Sequence, residues 1–310
     1  MMPTQPNIAL LRSGAIGDFV VTLPAISALE EAYPEADLTM IGHPSIVSLS
    51  HCSDVRNIND AAFADLYSSG PLREQTRDIF AECDLVIAYS VDPDGQLAKR
   101  LSSVVPGKVL VHDPRPAGSV HIVDHLLAPL KRLGIPVHCT IPRIQLNEAE
   151  KVYSDGIFLE HRLREPLVML HTGSGGLSKC WPINNYQLLA SCLHNEGVHT
   201  LFLHGPSEID RGHQRPDGTV DLVPPTLMDL AGLLSRASLF IGNDSGPAHI
   251  SAAVGSPTLT LFGPTDPVTW GPRSPFARHL AAENGDLNRL TVDAVMERAS
   301  EILEDLNSSR

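Results

Sequence analysis

The sequence has no run of about 20 consecutive apolar residues, so no helix is expected to cross a membrane. It is poor in cations: 23 lysines and arginines stand against 36 aspartates and glutamates, a formal net charge of -13 over 310 residues. That balance argues against nucleic acid as a partner, since neutralising phosphates takes clustered Lys and Arg. It also gives no reason to expect attraction to an anionic lipid surface. There are five cysteines, at 52, 83, 139, 180 and 192, an odd number with no C-x-x-C pair. A disulfide framework and a structural zinc site are therefore not expected, and a reducing compartment is. Each cysteine is read as a small buried hydrophobe, with Cys180, beside a lysine, the one candidate for reactivity. The opening stretch MMPTQPNIALLRSG lacks a basic region followed by an apolar core, so no secretory signal is expected and the simplest location is the cytoplasm.

What is there reads as alternating strands and helices. The chain length suits two domains of roughly 150 residues. Apolar runs at 8–11, 36–42, 83–90 and 108–112 alternate with helical patterns, among them 19–33 and the amphipathic SVHIVDHLLAPLKRLGI ending near Gly134. Such alternation predicts a parallel sheet. LNEAEKVYSDGIFLEHRLR reads as a polar helix approaching an inter-domain connection. A second unit then repeats the grammar, with strands in EPLVMLH, HTLFLHG, LFIGND and PTLTLFG and a long closing amphipathic helix, DAVMERASEILEDL. The expected division is 1–160 and 161–310, with the last helix a candidate to pack back on the first domain. In open α/β sheets ligands bind beyond the carboxyl ends of the strands, and in a two-domain version the natural site is the cleft between the two sets of ends.

The corners after the strands carry the chemistry. SGAIGD at 13–18 is neither G-x-G-x-x-G nor a P-loop, so neither the nicotinamide nor the ATP-hydrolysing reading finds its motif. It ends in Asp18, which reads as a helix cap or as a carboxylate placed to take a proton from an incoming hydroxyl. HTGSGGLSKCWP at 171–182 is a Gly/Ser-rich loop, including Ser174, whose backbone N–H groups suit a phosphate or diphosphate. Lys179 adds a point charge, and Trp181 argues against mere flexibility. Glu208, just past a strand end, is placed to accept hydrogen bonds from ribose hydroxyls or simply to start a helix. FIGNDSGPAH at 240–249 puts Asp244 at a strand end and Ser245, Gly246 and Pro247 at a helix head, an anion site by geometry and dipole. His249 lies one turn in, where it can turn to the same anion.

Together SGAIGDFVVTLPAISAL, SKCWP, HGPSE and IGNDSGPAHISAAVGSPTLTLFGPTDPVTWGP resemble the family 9 glycosyltransferases, the heptosyltransferases of lipopolysaccharide inner-core assembly. The second half matches nearly throughout; the first half matches over 8–40 and again at 118–135. The resemblance implies the α/β GT-B architecture, two Rossmann-like domains with parallel sheets facing a central cleft, acceptor in the N-terminal domain and nucleotide sugar in the C-terminal one. It implies Asp18 as general base, Lys179 on the donor phosphate, Glu208 at the ribose, Asp244 near the transferred sugar, and Ser245 and Gly246 as amides on the diphosphate. The implied reaction is inverting, metal-independent transfer without a cofactor, from a donor such as ADP-heptose to a saccharide or lipid-linked acceptor, with the enzyme cytoplasmic and in peripheral contact with the inner face of the inner membrane. A non-catalytic nucleotide-sugar-binding protein and a sugar-nucleotide epimerase or hydrolase on the same fold are the competing readings. Two departures stand out: Cys180 replaces a residue often basic in the family, and the first half is acidic. The acceptor is thus expected to differ from the usual phosphorylated lipid core. His121 and His125, four apart, lack a third ligand and read as surface or acceptor-side residues rather than a metal site.

Overall fold

Runs of aliphatic residues, bounded by glycine or polar corners, form parallel strands throughout. The structure, a computed structural model, describes residues 3, 5–205 and 220–308. Strands β1 (Asn7–Arg12), β2 (Asp37–Gly42), β3 (Asp54–Asn57), β4 (Leu85–Tyr89) and β5 (Lys108–His112) make one sheet in the order β3-β2-β1-β4-β5. Strands β6 (Leu167–His171), β7 (His199–Leu203), β8 (Val220–Leu222), β9 (Leu239–Asn243), β10 (Thr258–Phe262) and β11 (Ala277–Ala281) make a second, in the order β11-β10-β9-β6-β7-β8. Every described pairing is parallel. The central strands β4, β6, β9 and β10 are buried along their whole length. That is the burial a parallel sheet covered on both faces requires, and it explains why these strands read as unbroken apolar runs.

The edge strands β3, β8 and β11 are not anticipated by the sequence pattern. They read DVRN, VDL and ARHLA and are half-buried or exposed, so they carry no apolar run to find. Residues 19–33, read as one helix, are two: Ile16–Val20 and Leu23–Ala32. The Thr22 hydroxyl donates to the Asp18 carbonyl at 2.8 Å, and Pro24 sits in the first turn of the new helix, where its missing N–H costs little.

The chain divides into compact units 1–140 and 141–310 rather than at 160/161. The helix Glu148–Glu160 belongs to the second unit because its partners are there. Arg236 pairs with Asp155 and lies 4.2 Å over the Phe158 ring. Gly232, in the helix Leu227–Leu234, passes so close to the Glu150 carbonyl that a Cβ would sit 2.6 Å from it. The Ile144 N–H donates to the Ala253 carbonyl at 3.0 Å. The closing helix, Val292–Ser308, packs Val295, Ala299 and Ile302 into the same buried cluster as Leu189, Leu193, Phe202 and Ile241 of this unit. In the first unit a core of Leu11, Ile41, Phe63, Phe80 and Val86 covers one face of the sheet.

The reading of all five cysteines as buried is corrected. Only Cys83 is; Cys192 lies on the solvent side of the helix Ile183–Asn195, whose buried face is Tyr186, Leu189, Ala190 and Leu193. Among the described residues no helix is long and apolar enough to cross a membrane.

Candidate active site

Topology locates the site in each unit. In the second sheet β6 and β9 are neighbours, and the strand order runs outward from them in opposite directions. Between two such strands the loops leave towards opposite faces, opening a crevice at their carboxyl ends. The loops at that point are 172–182 after β6 and 244–245 after β9, the two corners singled out in the sequence. In the first sheet the same relation holds between β1 and β4, and the corner after β1 carries Asp18.

The second-unit crevice is tightly cross-linked. Lys179 Nζ lies 2.7 Å from Asp244 Oδ2, with the Asp244 side chain 9% exposed and that of Lys179 34%. The Thr265 hydroxyl donates to the same oxygen at 2.8 Å. Ser174, buried, donates its hydroxyl to the Asp244 carbonyl at 2.8 Å. Asn243, fully buried at the end of β9, holds both ends of the loop: its Oδ1 accepts the Trp181 N–H at 2.9 Å, and its Nδ2 donates to the Thr172 carbonyl at 2.8 Å. Trp181 is itself sunk in the core, edge-on to Tyr186 at 4.9 Å, with its indole N–H donated to the Leu290 carbonyl at 2.8 Å. The Gly/Ser-rich loop is thus a fixed frame from which Lys179 projects.

Gly246 begins the helix Gly246–Ala253, with Ser245 as its N-cap and Pro247 in its first turn. Ser245 makes no side-chain cap bond to the helix; its hydroxyl turns back to the Asn243 carbonyl at 3.2 Å. The first-turn N–H groups of a helix have no partner within it, and the macrodipole adds positive potential there. His249 is buried in the same helix. The structure therefore gathers Ser174, Lys179, Asp244, Ser245 and Gly246 at one crevice, with His249 in the helix behind. Glu208 lies outside the described residues. A recess of about 640 Å³ flanks the loop, lined in part by Thr172, Ser178, Cys180, Pro264 and Asp286. Cys180 directs its thiol to the Gly176 carbonyl at 3.4 Å.

In the first unit Asp18 is both cap and exposed group. Its Oδ2 accepts the Ala15 N–H at 3.0 Å, and its side chain is 39% exposed. Beneath it lies Arg12, 3% exposed, with Nη2 at 3.3 Å from Asp18 Oδ1. The same guanidinium forks onto the Asp18 carbonyl, Nε at 3.2 Å and Nη2 at 3.0 Å. Burial draws the Arg12 pKa down, and the adjacent Asp18 carboxylate opposes that pull. Gly14, at φ +131°, leaves room for the arrangement, since a Cβ there would meet Asp18 Oδ2 at 2.8 Å. Further along the carboxyl edge, His112 Nε2 contacts the His125 carbonyl at 3.1 Å, and the two ring centroids lie 4.4 Å apart with their planes tilted by 35°. His125 Nε2 contacts the Asp113 carbonyl at 2.7 Å, and His121 caps its helix by accepting the Val123 N–H at 3.2 Å. Among the described residues no three His, Cys, Asp or Glu side chains gather as metal ligands.

Sequence reasoning missed Arg12, Asn243, Thr265 and His112. Arg12 and Asn243 hide as the last residues of strands, and Thr265 lies in a proline-rich stretch that reads as a turn. The signal available was position alone: each stands at or just beyond a strand's carboxyl end.

Fold and site together define the class: a chain of two doubly wound parallel units, the second presenting an anion-type strand-to-helix corner, is an α/β protein of GT-B type. Solved structures agree. The glycosyl transferase family 9 protein from Veillonella parvula DSM 2008 matches with a TM-score of 0.81 at 20% identity, covering 97% of each chain. The E. coli heptosyltransferase WaaC with ADP matches at 0.71 and 21% identity, over 96% of this chain and 99% of that one, and WaaC with ADP-2-deoxy-2-fluoro heptose at 0.68. In sequence, Lipopolysaccharide heptosyltransferase 3 of Escherichia coli (strain K12) is 24% identical over 292 residues, 83% of this chain and 82% of the relative. Residues 108–298 match the profile of glycosyltransferase family 9 (heptosyltransferase), and the chain belongs to that family. It is a glycosyltransferase.

Proposed function

We propose that the enzyme transfers a heptose from ADP-heptose, with inversion and without a metal ion, to a hydroxyl of a saccharide or lipid-linked acceptor in lipopolysaccharide core assembly. The observation that carries this reading is the meeting of Lys179 and Asp244 at the head of the helix Gly246–Ala253. There, an ammonium and the helix-head amides of Ser245 and Gly246 supply positive potential for a diphosphate, with an acid alongside for sugar hydroxyls. The names of the relatives supply the sugar and the base.

In the reaction the acceptor oxygen attacks the anomeric carbon as the bond from that carbon to the diphosphate oxygen breaks. Asp18 takes the acceptor proton, and ADP leaves with the electron pair. Charge grows on the leaving group, where the helix-head amides and the ammonium of Lys179, drawn over from Asp244, meet it; one such oriented donor is worth about 2.7–4 kcal/mol in the transition state. Ser174 and His249 complete the donor side, with Glu208 as the ribose acid. The working place is the cytoplasm, at the inner face of the inner membrane where a lipid-linked acceptor is reached.

The test is a thermal-shift panel of ADP, UDP and GDP, followed by product analysis with ADP-heptose. ADP at 100 times its dissociation constant should stabilise the chain by about 2.7 kcal/mol and the other two by less. Asp18→Asn should keep the ADP response and lose transfer, and EDTA should leave transfer intact. Absence of any nucleotide response would overturn the reading.

A further inference from the structure

The Asp244 carboxylate is nearly buried, and one of its oxygens, Oδ2, takes both the Lys179 ammonium at 2.7 Å and the Thr265 hydroxyl at 2.8 Å. The two donors differ in kind. Lys179 ends a flexible stem and is one-third exposed. Thr265 sits on a short loop pinned immediately after it: Asp266 Oδ1 accepts the Val268 N–H at 3.0 Å, and Asp266 Oδ2 accepts the Thr269 hydroxyl at 2.7 Å. One donor can leave and the other is built in. A diphosphate at the head of the helix Gly246–Ala253 would compete with Asp244 for Lys179, because it carries more charge than a single carboxylate. Once the ammonium is drawn off, a nearly buried carboxylate would be left without direction unless something else holds it.

Building on the donor site argued above, we propose that Thr265 is the positioning residue for Asp244: it holds the carboxylate when Lys179 moves to the diphosphate, so that the freed lone pairs of Asp244 meet the hydroxyls of the transferred sugar. Thr265 thus acts on the sugar half of the donor and not on its nucleotide half. The sugar is recognised as a polyhydroxyl group by a carboxylate that becomes available when its own diphosphate removes the lysine.

The measurement is isothermal titration of the full chain, native and Thr265→Val, with ADP and with ADP-heptose, alongside donor KM and kcat. Valine keeps the shape and removes the hydroxyl. ADP-heptose should bind Thr265→Val about tenfold more weakly than native, since a hydrogen bond to a charged group is lost, whereas ADP, which also draws off Lys179 but leaves Asp244 open to water in place of the sugar, should lose only about two- to threefold. Donor KM should rise with it, and Thr265→Ser should restore both. A merely structural role would weaken both ligands equally, and that result, or unchanged binding of both, overturns the inference. Thr265→Ala provides a second hydroxyl-free variant should valine perturb the loop. A native chain that binds neither ligand overturns the donor-site reading itself, which distinguishes the two failures.

Discussion

The Lys179–Asp244 contact makes a prediction against intuition. Asp244→Asn removes a negative charge from the diphosphate site and releases the ammonium, so ADP should bind several-fold more tightly to the variant than to the native chain, measured by titration calorimetry, even as transfer falls. At His112 the argument concerns pH. Burial, aided by neighbouring His125, lowers its pKa. The unfolded chain then takes up the proton first, near the ordinary histidine value of about 6.5, while the folded chain resists. The contribution of His112 to stability is therefore complete above that value and is lost as pH falls through it. His112→Gln should flatten the decline of Tm between about pH 7 and pH 5. Single residues were the least legible level of this sequence. Lys179 and Asp244 stand in glycine-rich corners that announce themselves. Arg12 and Asn243 do not, because each looks like the last residue of a strand until the fold shows what its side chain holds.

Among elements, the central strands were readable, as was the edge strand β5, KVLVH, whereas the edges β3, β8 and β11 were not, for one physical reason. A strand covered on both faces must be apolar throughout, as in LVMLH at β6, whereas β11, ARHLA, keeps both polar and apolar residues and offers no pattern. The helix Glu148–Glu160 was recognised, but its allegiance was not, since its contacts with Gly232 and Arg236 lie far along the chain. Gly232 tests that packing. In an open helix interior Gly→Ala gains about 1 kcal/mol. Here the added Cβ meets the Glu150 backbone carbonyl at 2.6 Å, and displacing a packed helix costs about 1–3 kcal/mol. Gly232→Ala should therefore lower Tm rather than raise it, and a rise would show that the two helices separate freely.

For the whole molecule, the two-unit plan was legible from the repeated strand-corner-helix grammar, though the division lies 20 residues earlier than the pattern placed it. A fragment of residues 141–310 should fold and keep its ADP response. A fragment beginning at 161 should be aggregation-prone, because it lacks the helix that covers Leu227–Leu234; circular dichroism and light scattering distinguish the outcomes. The parallel sheets carry a last consequence. No described strand pairs through a hairpin, and the central pair β1–β4 joins Ile8 to Leu85 while β6–β9 joins Val168 to Leu239. Each sheet thus closes only after a long stretch of chain has been brought round, an entropic toll exacted before any central contact rewards it. Recovery from denaturant should accordingly be slow and concentration-sensitive, so the protein is better kept from unfolding than rescued afterwards.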